Sequence, residues 1–104
     1  MEYVYGKEQL LPRVAEVEVC PEYQLLLTFR NGEKRVFDMR PYLTMPAYRT
    51  LRAVFASAQV AFGTVVWPGD VDISPETLYL KSVPVEYAKE ARVFTPPPLS
   101  ADAM

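Results

Sequence analysis

Apolar and polar residues alternate through Arg13 to Cys20, where Ala15, Val17 and Val19 interleave with Glu16 and Glu18; a period of two predicts a strand buried on one face. Pro21 ends it. Two further β-favouring runs, from Tyr23 to Met39, flank Asn31-Gly32, a pair that predicts an antiparallel hairpin with positive φ at both central residues, as a type I′ turn requires. Leu25, Leu27 and Phe29 share one face of the first arm, whereas Val36 and Asp38 alternate less cleanly with Arg35, Phe37 and Met39 in the second.

The pattern then changes period. Leu51, Val54, Phe55 and Ala58 recur at helical spacing, and Thr44 or Met45 before Pro46 marks the expected start, since proline is tolerated in a first helical turn. Val60 to Trp67 reads as two short strands or one bulged strand around Gly63, followed by a turn at Pro68-Gly69. Ser74, Pro75 and Glu76 supply a cap, a first-turn proline and a first-turn acid, so a short helix is expected there with Leu78 as its core contact. Val85 to Phe94 predicts one or two amphipathic turns through Tyr87, Ala91 and Phe94, and the proline-rich residues from Thr95 predict an extended tail.

These elements predict an α+β fold: a small antiparallel sheet with an Asn-Gly hairpin, backed by one main helix and a short second helix. A single domain is expected over 1–83, with 84–104 as a proline-rich tail.

Half of the 104 residues are apolar, as in an ordinary globular protein, and no apolar run approaches the roughly 20 residues of a membrane helix. Met1 to Leu11 mixes Glu2, Lys7 and Glu8 into its apolar residues, so no secretory leader is expected and the expected location is the cytoplasm.

Candidate chemistry is sparse. The chain has no histidine, which removes the common triads and histidine metal sites, and its four isolated glycines cannot form a phosphate loop. No catalytic, cofactor-binding or metal-binding residue is assigned, and no enzyme activity is expected. Cys20, ending an apolar strand, is expected to be a buried structural thiol rather than a nucleophile. Asp70, Asp72 and Glu76 would suit hard-cation binding or acid–base work; the expectation is instead that Val71 and Ile73 enter the core while the aspartates face water.

Charge distribution changes the picture more than net charge. From Arg30 to Arg52 six basic residues stand against two acids, a balance of +4 in a chain of net −2, which leaves −6 elsewhere. A basic patch of Arg35, Arg40, Arg49 and Arg52 beside Tyr48 is the basis of one expectation, association with nucleic acid.

Taken in order, the segments Pro12 to Leu43, Ala47 to Phe62 and Thr64 to Tyr79, with Phe37-Asp38-Met39-Arg40-Pro41-Tyr42-Leu43 and Val66-Trp67-Pro68-Gly69-Asp70-Val71-Asp72-Ile73-Ser74-Pro75-Glu76-Thr77-Leu78-Tyr79, resemble the domain-of-unknown-function 2442 family of small bacterial proteins. The resemblance implies a compact α+β domain and no established catalytic residues. Members encoded beside another small protein imply one half of a toxin–antitoxin-like pair. Some members carry a fused helix-turn-helix domain; the residues after Ser82 are too few for one, so DNA reading through an appended domain is not expected.

Seven tyrosines, five phenylalanines and one tryptophan exceed what a thin sheet with one helix hides, and exposed aromatics are typical of interfaces. The first expectation is therefore a non-enzymatic protein-binding module, the regulatory or antitoxin-like member of a two-protein pair, binding another protein or a second copy. Its candidate contacts are Tyr42, Tyr48, Arg49, Arg52, Trp67 and Tyr79, with Tyr3, Tyr5 and Tyr87 as further aromatics. An open sheet edge is a second candidate surface, unless the N-terminal segment and tail helix cover it. The alternative is nucleic-acid association through the basic patch at 30–52.

Overall fold

The structure, a computed structural model, describes residues 11–94. Tyr3, Tyr5, the N-terminal cover and the extended tail from Thr95 lie outside the described residues. Strands β1 (Val14–Cys20), β2 (Gln24–Phe29) and β3 (Lys34–Asp38) form an antiparallel meander, and β7 (Val83–Pro84) adds to β3 to give the order β1-β2-β3-β7. A second antiparallel sheet runs β4 (Gln59–Ala61), β5 (Thr64–Trp67), β6 (Val71–Ile73) in that order. The helices are α1 (Leu51–Val54), α2 (Pro75–Lys81) and α3 (Val85–Glu90). The class is α+β, built on two small sheets rather than one.

Pairing explains the face pattern. Leu25, Leu27 and Phe29 of β2 are buried against Phe37, Met39, Leu43, Leu51, Phe55, Val65, Trp67, Ile73 and Leu78 in one core between the sheets. Register shifts between Val14 and Glu16, which leaves Ala15 exposed and returns Val17 and Val19 to the inner face. The uneven pattern of β3 has a cause: Phe37 enters the main core while Val36, on the opposite face, packs with Val85 and Ala88 in a second cluster. Helix α3 thus turns Val85 and Ala88 inward, the half-buried Phe94 beyond its end joins them, and Tyr87 and Ala91, expected on that buried face, point out. Residue 83, the expected domain boundary, lies in β7, and α3 packs on the sheet.

The expected main helix is a chain of short turns. From the expected start, Pro46–Tyr48 and Phe55–Ser57 are 3₁₀ turns and Leu51–Val54 is α-helical; a further 3₁₀ turn, Arg40–Tyr42, precedes it. Pro41 and Pro46 each enter a first turn, where their missing N–H is harmless but from which no upstream hydrogen bond can continue. The helical spacing still marks what is buried: Leu51 and Phe55 are in the core, with Val54 and Ala58 against it.

Two turns exchange roles. At Asn31-Gly32 only Gly32 has positive φ (91°), and Gly32 N–H donates to Phe29 O at 2.8 Å. This is a type I turn closed by a glycine in the left-handed region, not the expected type I′. Asn31 instead uses its side chain, accepting from the Glu33 N–H at 3.0 Å. The type I′ turn lies elsewhere: Ala61 pairs with Thr64, leaving Phe62 (φ 56°) and Gly63 (φ 76°) as its two central residues. Gly63 also accepts the Val14 N–H at 2.9 Å, joining the sheets, and a Cβ there would sit 3.0 Å from Arg13 Cδ.

Helix α2 begins as its sequence predicts. Ser74 accepts the Thr77 N–H at 3.1 Å, Pro75 opens the first turn, Glu76 follows, and Leu78 is fully buried.

Candidate functional site

Four of the expected contact residues, Tyr42, Tyr48, Trp67 and Tyr79, pack within the fold. Trp67 is 3% exposed, its ring stacks on Phe55 and its indole N–H donates to Phe55 O at 3.1 Å, so its ring completes the core. Tyr42 stacks on Phe37 and meets Tyr48 edge-on, and both tyrosines lie half-buried against the core.

Tyr79 belongs to a polar network that fastens the β2–β3 tip to α2. Its hydroxyl donates to Glu33 Oε2 at 2.9 Å, its ring packs edge-on against Phe29, and the Arg35 guanidinium lies 4.6 Å from the ring centre. Arg35 also bonds Glu33 Oε1 and both the hydroxyl and carbonyl of the buried Ser82. The Tyr79 hydrogen bond foremost, then Arg35 and Asn31 against some desolvation, hold Glu33 below its ordinary 4.5. That same hydrogen bond, with burial and the Glu33 charge, pushes the Tyr79 phenol up.

The basic patch is divided. Arg35 is held as just described, and Arg40 lies 2.8 Å from Asp38 and 3.6 Å from Glu22. Arg49 and Arg52 are exposed on the broken helical segment, with Arg52 5.5 Å from the centre of the Tyr23 ring. Two of the four expected cations are thus occupied within the fold, and Tyr48 packs inward.

Cys20 is 4% exposed, and burial, followed by the nearby Glu18 charge, pushes its thiol from 9.0 to about 11, which removes the thiolate a nucleophile needs. Asp70 and Asp72 are exposed while Val71 is half-buried and Ile73 buried, as the alternation implied. Among the described residues no three histidine, cysteine or acidic side chains gather as a metal site, and no helix is long and apolar enough to cross a membrane.

What sequence reasoning missed is Phe62. It caps the β4–β5 hairpin, is 92% exposed, and holds a left-handed conformation unusual for a bulky side chain. The available signal was two β-favouring runs exactly two residues apart around Phe-Gly, a spacing that marks a tight hairpin. Beside the ring a groove of about 240 Å³ is lined by Val66, Trp67, Asp70, Val71 and Asp72 as well as Phe62. Val66 lies opposite Asp72 on one side and Gln59 on the other, so these three side chains share the sheet face away from the core. Phe62, Val66 and the two aspartates therefore make one continuous surface of apolar centre and acidic rim.

No curated protein and no solved structure matches the chain. A family model described as a protein of unknown function, DUF2442, matches residues 14–84, the span from the first residue of β1 to the last of β7. With more than half its length inside that match, the chain belongs to the DUF2442 family.

Proposed function

We propose that this chain is a non-enzymatic protein-binding module whose anchor is Phe62 on the β4–β5 tip. One observation carries the reading: a large aromatic is 92% exposed at a turn position with φ 56°. Glycine or asparagine would satisfy that backbone with less strain, and an exposed ring gains nothing from the core, so neither folding nor packing accounts for the side chain. Binding interfaces concentrate their energy in such aromatic anchors set beside apolar surface. The groove adds that apolar surface next to the ring. In a two-protein regulatory or antitoxin-like pair, this tip is the contact offered to the other member.

The test is to replace Phe62 with the photo-crosslinker p-benzoylphenylalanine in the native host and irradiate. A discrete light-dependent adduct from position 62, absent when the same residue stands at exposed Ala53, is expected. No adduct at 62, or the same diffuse products from both positions, overturns the reading.

A further inference from the structure

The groove beside Phe62 has a sign. Of its lining residues two are carboxylates, Asp70 and Asp72, both exposed, and none is basic. Asp72 and Val66 face each other across β5 and β6, so an acid borders the apolar floor directly, and Asp70 stands at the turn entering β6. A purely apolar occupant would strip water from these carboxylates without replacing its hydrogen bonds, and an anion would be repelled. At about 240 Å³ the space falls below the roughly 300–1,000 Å³ of small-molecule and cofactor pockets and suits one long side chain.

Resting on the reading of Phe62 as a docking anchor, we infer that the groove accepts an arginine or lysine side chain projected by a partner protein. Its methylene stem lies along Val66, on the sheet face away from the core and opposite Asp72, as long cationic side chains do over apolar surface. Its charged head reaches Asp70 and Asp72, and the exposed Phe62 ring offers its face to the same cation. The partner segment is therefore basic with apolar neighbours, complementary to the excess of negative charge this chain carries outside residues 30–52.

The probe is a capped pentapeptide, Val-Arg-Val-Arg-Val, followed by amide NMR on the full chain at low salt. A matched peptide with citrulline, which keeps the shape of arginine but not its charge, is the control. Shifts that saturate and map to Phe62, Val66, Trp67, Asp70 and Asp72 are expected for the arginine peptide. Loss of the two exposed charge pairs should weaken binding roughly ten-fold, whether through citrulline or through the D70N/D72N double variant. Phe62→Asn, which suits the turn, should weaken it without unfolding the hairpin. Equal affinity for the citrulline peptide, shifts mapping elsewhere, or no binding at millimolar peptide overturns the inference. So does self-association abolished by Phe62→Asn, which would make a second copy the occupant. A photo-adduct at position 62 combined with failure of the arginine peptide removes the basic occupant and leaves the anchor standing.

Discussion

Phe62 occupies a left-handed position at φ 56° with 92% of its side chain in water, so its replacement removes conformational strain and almost no packing. Non-glycine residues lose about 1–2 kcal/mol in that region, and asparagine, which bonds its own backbone, loses less. Phe62→Asn should therefore stabilise the fold by about 0.5–1 kcal/mol, a rise in Tm of roughly 2–8 °C for a domain of this size. Thermal unfolding followed by circular dichroism checks it; a fall in Tm would mean that the ring makes a contact its exposure denies. Stability and binding should move in opposite directions at this one residue. That opposition separates an anchor from a structural aromatic such as Trp67, where ring stacking on Phe55 and the indole hydrogen bond make any truncation destabilising.

Between elements, the informative joint is Tyr79 on α2 against Glu33 at the β2–β3 tip. A carboxylate held below its ordinary value contributes stability above pH 4.5 and loses it as the pH falls through the lowered value. Tyr79→Phe removes the largest contribution, so the Glu33 midpoint in an NMR titration should rise toward 4.5; an unchanged midpoint would show that Arg35 and Asn31 suffice. This joint was not legible in the sequence, because 46 residues separate its partners. Helix α2 was legible, since Ser74, Pro75 and Glu76 act on backbone groups within one turn. The hairpin β2–β3 was legible as a pairing but not as a turn type: Asn31 bonds Glu33 with its side chain instead of taking positive φ. The segment after Met39 was legible in its buried face and not in its continuity, because apolar spacing survives backbone breaks such as the one at Val54 (φ −122°, ψ 15°). Aromatic excess pointed to an interface but not to its residue. Tyr42, Tyr48, Trp67 and Tyr79 find partners in a core supplied by two sheets, whereas Phe62 stands out only once the register fixes the turn.

At the scale of the molecule there are two apolar clusters on opposite faces of the first sheet. The main core lies between the sheets and is closed within 14–79. The smaller one joins Leu26 and Val36 to Val83, Val85, Ala88 and Phe94, and Gln24 Nε2 donates to Val93 O at 2.6 Å beside it. Three of its members and the Val93 carbonyl follow residue 84, where the family match ends. Ending the chain at Pro84 should therefore uncover Leu26 and Val36 without opening the main core. Full burial of one valine or phenylalanine side chain is worth about 1.5–3 kcal/mol, so losing Val85, Ala88 and the half-buried Phe94 should cost about 3 kcal/mol and lower Tm by roughly 10–25 °C. Unfolding should remain cooperative, and binding of a hydrophobic dye should increase as the sheet face opens. A Tm within a few degrees of the full chain would show that α3 contributes little. Loss of cooperative unfolding would show that the two clusters fold as one. Because Phe62 lies on the second sheet, a truncated chain that stays folded should still give its photo-adduct at position 62, which separates what stabilises this domain from the surface through which it is proposed to act.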